Sequence, residues 1–350
     1  MIDFRYHVVS IIAVFLALTV GLVLGASFLP KAQVDFLNGQ ITSANNAKNR
    51  LETKQFSLSA DNQHMQDYID GTKDNLVNNQ LFNDAVVVVR AAGYDPGAVN
   101  SVLALTKQAA ATITADITVN PTFADPSSVA SLQDLVANYA PLGQKVPGGD
   151  PVAQAINLLV EALTVQSAAT GAAAGSASAS PAASPSASAT PNAVPAAMTA
   201  AWAVRTVQAF KSIGVISVTV MPSATNPVKP TAAFMAAPLD PAPDPQNSLY
   251  LSLAQALRAA GAGPVIGGSA PAAGAGGLIT AVLKDAAATK TVSTVDDTDS
   301  TIGQVAVVFV LYGESRNAAA PAGHYGTTGT TDGPLPKLPK LLPAPSPSAS

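Results

Sequence analysis

Val8 to Leu29 reads VVSIIAVFLALTVGLVLGASFL, 22 residues without a charge. A helix rises about 1.5 Å per residue, so this run reaches across a hydrocarbon core of roughly 30 Å. It predicts a transmembrane anchor over residues 1–30. Arg5 and the amino terminus precede the run, partly offset by Asp3, and Lys31 and Asp35 follow it. That small positive bias predicts a single pass with the N-terminus cytoplasmic and the main domain extracytoplasmic. The competing reading is a cleaved signal peptide. Its apolar stretch is usually about 7–15 residues, although Ala26 and Ser27 offer a cleavage site. Ala17, Gly21 and Gly25 recur every four residues, a stripe that lets a second helix approach closely. Gly and Ala are also simply common in membrane helices.

From Val34 the chain turns polar and takes on a seven-residue rhythm. One column holds Leu37, Ala44, Leu51, Leu58, Met65 and Thr72; the other holds Val34, Ile41, Lys48, Gln55, Asn62, Ile69 and Leu76. Together they fill the a and d places of about six heptads, uninterrupted by proline. The expectation is a coiled-coil stalk over 31–82. Its seam would run through Leu37, Ile41, Ala44, Leu51, Leu58, Met65 and Ile69, so that the chain self-associates through membrane helix and stalk. A single long helix packed back on its own domain is the alternative. Lys48, Gln55 and Asn62 interrupt the apolar column, and such residues set register at a cost in stability.

Beyond the stalk, short β-rich runs alternate with helical patterns. AVVVV at 85–89, Thr112 to Val119, Val215 to Met221, Ala232 to Ala237, Gly263 to Gly267 and QVAVVFVLY at 304–312 read as strands. Helices are expected over Pro96 to Ala110, where Asp95 caps and Pro96 opens the first turn, and over 127–139, 152–163, 199–212, 248–260 and 277–284. Strand–helix alternation with continuously apolar strands predicts an α/β fold, a mainly parallel doubly wound sheet with both faces covered. These runs lack the apolar-out, polar-in alternation of membrane barrels. Residues 166–197 are almost wholly Ala, Ser, Gly, Thr and Pro. Such a segment buries too little apolar surface to order itself and predicts a disordered insert between the domain's two parts, 83–165 and 198–329. Residues 330–350 read as a disordered proline-rich tail.

Composition narrows the chemistry. A net charge of −4 without a basic patch speaks against nucleic acid. The absence of cysteine rules out disulfides and thiolate metal sites. In GGSAPAAGAGG, Gly274 and Gly276 supply two glycines of a dinucleotide fingerprint, but Ile279 takes the third place. No phosphate loop or nucleophile elbow is present, and His7, His64 and His324 are scattered, so no acid, base and nucleophile set assembles. Asp296, Asp297 and Asp299 in STVDDTDS, with His324, are the candidate metal ligands. Three close carboxylates suit a hard cation such as calcium, but the usual ligand count is missing and a solvated acidic turn is the expectation. The methionines form no M-x-x-M cluster, so no tightly bound cofactor is expected.

Three stretches resemble a known family. The N-terminus MIDFRYHVVSIIAVFLALTVGLVLG, the segment STVDDTDSTIGQVAVVFVL at 293–311 and AGHYGTTG at 322–329 resemble, in order and spacing, the MctB family of actinobacterial envelope proteins. That family is named as copper transport outer membrane proteins. The resemblance implies copper as a transported ion, a role in copper efflux or tolerance, and a pore in the outer membrane. The residues alone suit a different picture: an inner-membrane anchor facing outward, with membrane, envelope proteins or a second copy as partners. A structural or interaction protein of the envelope is therefore the alternative function.

Overall fold

The computed structural model describes residues 4–27, 31–140, 149–165, 196–225, 228–241, 244–317, 321–328 and 332–336. The expected insert lies almost entirely outside the described residues, as does most of the expected tail. The chain divides into two compact units, Met1–Met65 and Gln66–Ser350.

The first unit is helical. Helix α1 spans Phe4–Ser27, and its stretch from Tyr6 to Gly25 has a mean hydropathy of 2.7, long and apolar enough to cross a membrane. Helix α2 runs from Lys31 to Val77, 47 residues without a break.

The second unit is the α/β body. Its strands are β1 (Ala85–Ala91), β2 (Thr112–Val119), β3 (Ile216–Val220), β4 (Ala232–Ala236), β5 (Gly263–Gly267), β6 (Ser293–Val295) and β7 (His324–Tyr325). They form one sheet in the order β3-β2-β1-β4-β5-β6-β7. Every pairing is parallel except β2 with β3. The helices are α3 (Pro96–Gln108), α4 (Val129–Tyr139), α5 (Pro151–Leu163), α6 (Ala196–Ser212), α7 (Asp244–Ala259), α8 (Leu278–Lys284), α9 (Ala288–Thr291) and α10 (Thr301–Arg316).

The strand order reverses direction between β1 and β4, which is the doubly wound plan. Alternate side chains of β1 serve opposite cores. Val87, Val89 and Ala91 pack with Leu159 of α5, Val207 of α6 and Leu253 of α7. Val86 and Val88 pack with Val102 of α3 and Val307 of α10, together with Val77 at the end of α2 and Leu81 in the turn after it. Because both faces are covered, β1 is buried at every position, and its sequence can be apolar throughout. Asp95 caps α3 as expected, accepting the amides of Gly97 and Ala98, and Pro96 stands in the first turn.

Two expectations are corrected here. Gln304 to Tyr312 is not the last strand but the middle of α10. A short, wholly apolar run does not separate strand from helix by its period. What decides is Ser300, whose hydroxyl accepts the Gly303 amide and starts a helix that packs on the sheet and on α3. Ile69, assigned to the stalk seam, packs with Leu76 against the α3–α10 core of its own chain. The last strands are instead β6 and β7, too short to carry a pattern of their own.

β5 reaches β6 through α8 and α9 on one face, whereas β6 reaches β7 through α10 on the other. Both steps move the same way along the sheet, so the two crossovers have opposite hands, against a strong general preference for the right hand. This detour brings the C-terminal residues back beside β6.

Candidate functional site

Doubly wound proteins receive ligands where the strand order reverses, outside the carboxyl ends of the two central strands. Here main chain occupies that place. Tyr94 and Pro238 form an antiparallel bridge, the Leu239 amide donates to the Gly93 carbonyl at 2.8 Å, and the Ala92 amide donates to the buried Tyr250 hydroxyl at 3.1 Å. Next to it, Arg90 of β1 pairs with Asp116 of β2, donating from Nε at 2.8 Å, and its Nη1 donates to the Tyr94 hydroxyl. Both charged side chains are buried, so each satisfies the other and neither is presented to a ligand.

The polar side chains converge instead on the β6–β7 edge. β6 pairs with β7 through Thr294 with His324 and Val295 with Tyr325, which joins STVDDTDS to AGHYGTTG. The Asp296 carboxylate accepts the amides of Thr327 at 2.7 Å and Thr328 at 3.1 Å, and its own amide donates to the Tyr325 carbonyl. A side chain at Gly326, which has φ of +138°, would collide with that carboxylate, so this glycine is required on both counts. Ser293 donates from its hydroxyl to Glu314 Oε1 at 2.6 Å and accepts the Gly323 amide, while Glu314 Oε2 pairs with Arg258 Nη1 at 2.7 Å. Asp332 closes the outer edge by accepting the His324 amide at 2.8 Å.

The candidate metal ligands separate under this geometry. His324 Nε2 lies 3.0 Å from the Thr289 carbonyl, which can only accept, so Nε2 donates; Nδ1 lies 3.0 Å from the Thr294 hydroxyl. Both ring nitrogens are thus engaged. Asp296 is committed to backbone amides, and Asp299 alone of the three aspartates is exposed. The expected solvated acidic turn is corrected: Asp296 is 2% and Asp297 6% exposed. Burial is the main reason that the Asp297 carboxyl is pushed up to about 6. Its Ser300 hydrogen bond acts the other way, and the charges of Asp296 and Asp299 reinforce the rise. Among the described residues no group of three or more His, Cys, Asp or Glu side chains is placed to hold a metal ion.

Sequence reasoning marked both segments as signatures but not that they touch. It missed Ser293, Arg258, Glu314 and Asp332, since a buried pair between α7 and α10 leaves no local spacing to find. Beside this edge lies a groove of about 440 Å³, lined by Phe309, Tyr312, Glu314, Pro321, Tyr325 and Leu335. Leu335, within the expected tail, packs against the α3–α10 core.

An N-terminal helix long and apolar enough to cross a membrane, a long second helix and a doubly wound body with a closed switch point define the class, an α/β protein with a mostly parallel sheet. The family pattern described as "Copper transport outer membrane protein, MctB" matches residues 1–336, and the chain belongs to that family. Curated relatives named "Copper transporter MctB" from Mycobacterium tuberculosis (strain ATCC 25618 / H37Rv) and Mycobacterium bovis (strain ATCC BAA-935 / AF2122/97) are each 26% identical over 335 residues. The aligned part covers 93% of this chain and 96% of each relative.

Proposed function

We propose that this chain is a copper transport protein of the cell envelope, acting in efflux and tolerance with copper as cargo. The observation that carries this reading is the family match over residues 1–336, with similarity to the named copper transporters along 93% of the chain. In this reading α1 is a retained single-pass anchor with its N-terminus in the cytoplasm, and the α/β body stands outside. Copies associate through the Ala17, Gly21 and Gly25 stripe and through α2. A copper path would then be built from assembled helices, because the sheet is open, with β3 and β7 as edges, and encloses no lumen.

A second reading, an interaction protein of the envelope, is favoured by one observation. Asp296 and His324 spend their polar atoms holding the C-terminal edge together rather than facing a cargo. Deletion of the gene, with complementation by the full-length chain, separates the two. The transport reading expects lower copper tolerance and a higher copper content in the deletion strain, measured by elemental analysis, both restored by the full chain. Copper tolerance and content unchanged by deletion would leave the interaction reading.

A further inference from the structure

We propose that α2 pairs with the α2 of a second copy as a parallel, in-register two-stranded coiled coil, and that the seam ends at Met65. Beyond Met65 the α/β body of the same chain takes over the same stripe. This gives partner, strand number and boundary to the self-association proposed above and is independent of copper.

The stripe is one surface with two fates. Val34, Leu37, Ile41, Leu51, Leu58 and Met65 are large, apolar and exposed, Leu51 by 68%. In the same heptad phase, Ile69 and Leu76 are packed against the α3–α10 core, and Val77 beside them is fully buried. The change falls at the boundary between the two compact units. The C-terminal end of the stripe therefore already has its cover, supplied in cis, and the seam open to another helix is the part up to Met65.

Three features select a second copy as the cover. β-branched Val34 and Ile41 at a, with Leu37, Leu51 and Leu58 at d, favour two parallel strands. Charge permits self-pairing: over 34–65, Lys48, Arg50 and Lys54 balance Asp35, Glu52 and Asp61, so the segment carries no net charge, and the facing Lys48 pair is a local cost of the in-register arrangement. The polar a residues Lys48, Gln55 and Asn62 face their own kind only when the strands are parallel and unshifted. There Asn62 can hydrogen-bond Asn62 of the second copy, a device that fixes register. An anchor at the N-terminal end holds the copies parallel.

The chain contains no cysteine, so a single introduced cysteine reports only on its own pair. The test is mild oxidation of membranes carrying full-length Leu51→Cys, Leu58→Cys, Thr53→Cys or Ile69→Cys, with copper chelated throughout. Thr53 lies on the outer face of the predicted coil. Leu51→Cys and Leu58→Cys are expected to form disulfide-linked dimers about tenfold or more faster than Thr53→Cys and Ile69→Cys. Only seam positions bring Cα atoms within the roughly 7 Å a disulfide spans. The detergent-extracted chain should have twice the protomer mass of 35.1 kDa. Equal linking at Leu51→Cys and Thr53→Cys, or none at either seam position, overturns the pairing. Seam-like linking at Ile69→Cys overturns the boundary, and a higher mass overturns the strand number. Because copper is absent, these outcomes test the pairing alone, and the copper phenotype is decided separately by the deletion strain.

Discussion

Asp296 and Asp297 are neighbours in sequence with opposite surroundings. Asp296 has its charge compensated by backbone amides and ties the C-terminal residues to β6. Asp297 is equally buried, but its chief polar contact is a 3.2 Å bond from the Ser300 hydroxyl, with two like charges beside it. The consequence for stability has a definite sign. The folded carboxyl titrates at about 6 against an ordinary 3.8, so between about pH 4 and 6 the folded state holds more protons than the unfolded one. Stability from this group is retained below that window and lost as pH rises through 6. Asp297→Asn removes the titration while keeping a partner for Ser300. The variant should match the parent below pH 4 and exceed it by up to ~3 kcal/mol above pH 6, read from denaturant unfolding across that range. A constant difference with pH would show that the carboxyl does not titrate in that window. None of this was legible beforehand: three aspartates in eight residues read as a solvated turn, because spacing reports neighbours in the chain and not the strand returning from Ala322.

At the scale of elements, α10 is the instructive one. QVAVVFVL has the composition of a buried strand, and its period decides nothing, since a helix packed on the sheet and on α3 is apolar nearly all round. The legible signal was the start, with Ser300 as a cap three residues before Gly303. The two glycines of α10 give a test of this placement. A side chain at Gly303 would run into the Asp297 main chain, whereas at Gly313 nothing lies within 4 Å. Gly303→Ala should cost about 3 kcal/mol or more, by forcing the turn away from the helix start. Gly313→Ala should be neutral or stabilise by up to about 1 kcal/mol through helix propensity. Thermal unfolding of the two variants decides, and equal effects would contradict the packing of α10. By contrast, α3 was legible to the residue at its start, because Asp95–Pro96 carries its capping in local sequence. β1 and β4 were legible as apolar runs, and β2 and β5 as short runs of β-prone residues between turns. β6 and β7, of three and two residues, exist only through pairing, and pairing is not written in either segment alone.

Across the whole molecule, α1 is long and apolar enough to cross a membrane, and the α/β body buries its sheet beneath helices on both faces. In the function proposed above the two parts have separate work: α1 and α2 hold and assemble copies, and the body stands outside, with its polar residues spent on its own closure. The copper role rests on kinship with the MctB family, so the claim that most needs a direct test is where the body lies relative to the anchor. The measurement is membrane fractionation of the tagged full-length chain, with protease added to sealed and to lysed cells. The account predicts that the chain sediments with membranes, that outside protease removes the α/β body from sealed cells, and that a fragment containing Phe4–Ser27 stays protected. A soluble chain, or a body protected until the membrane is dissolved, would contradict it.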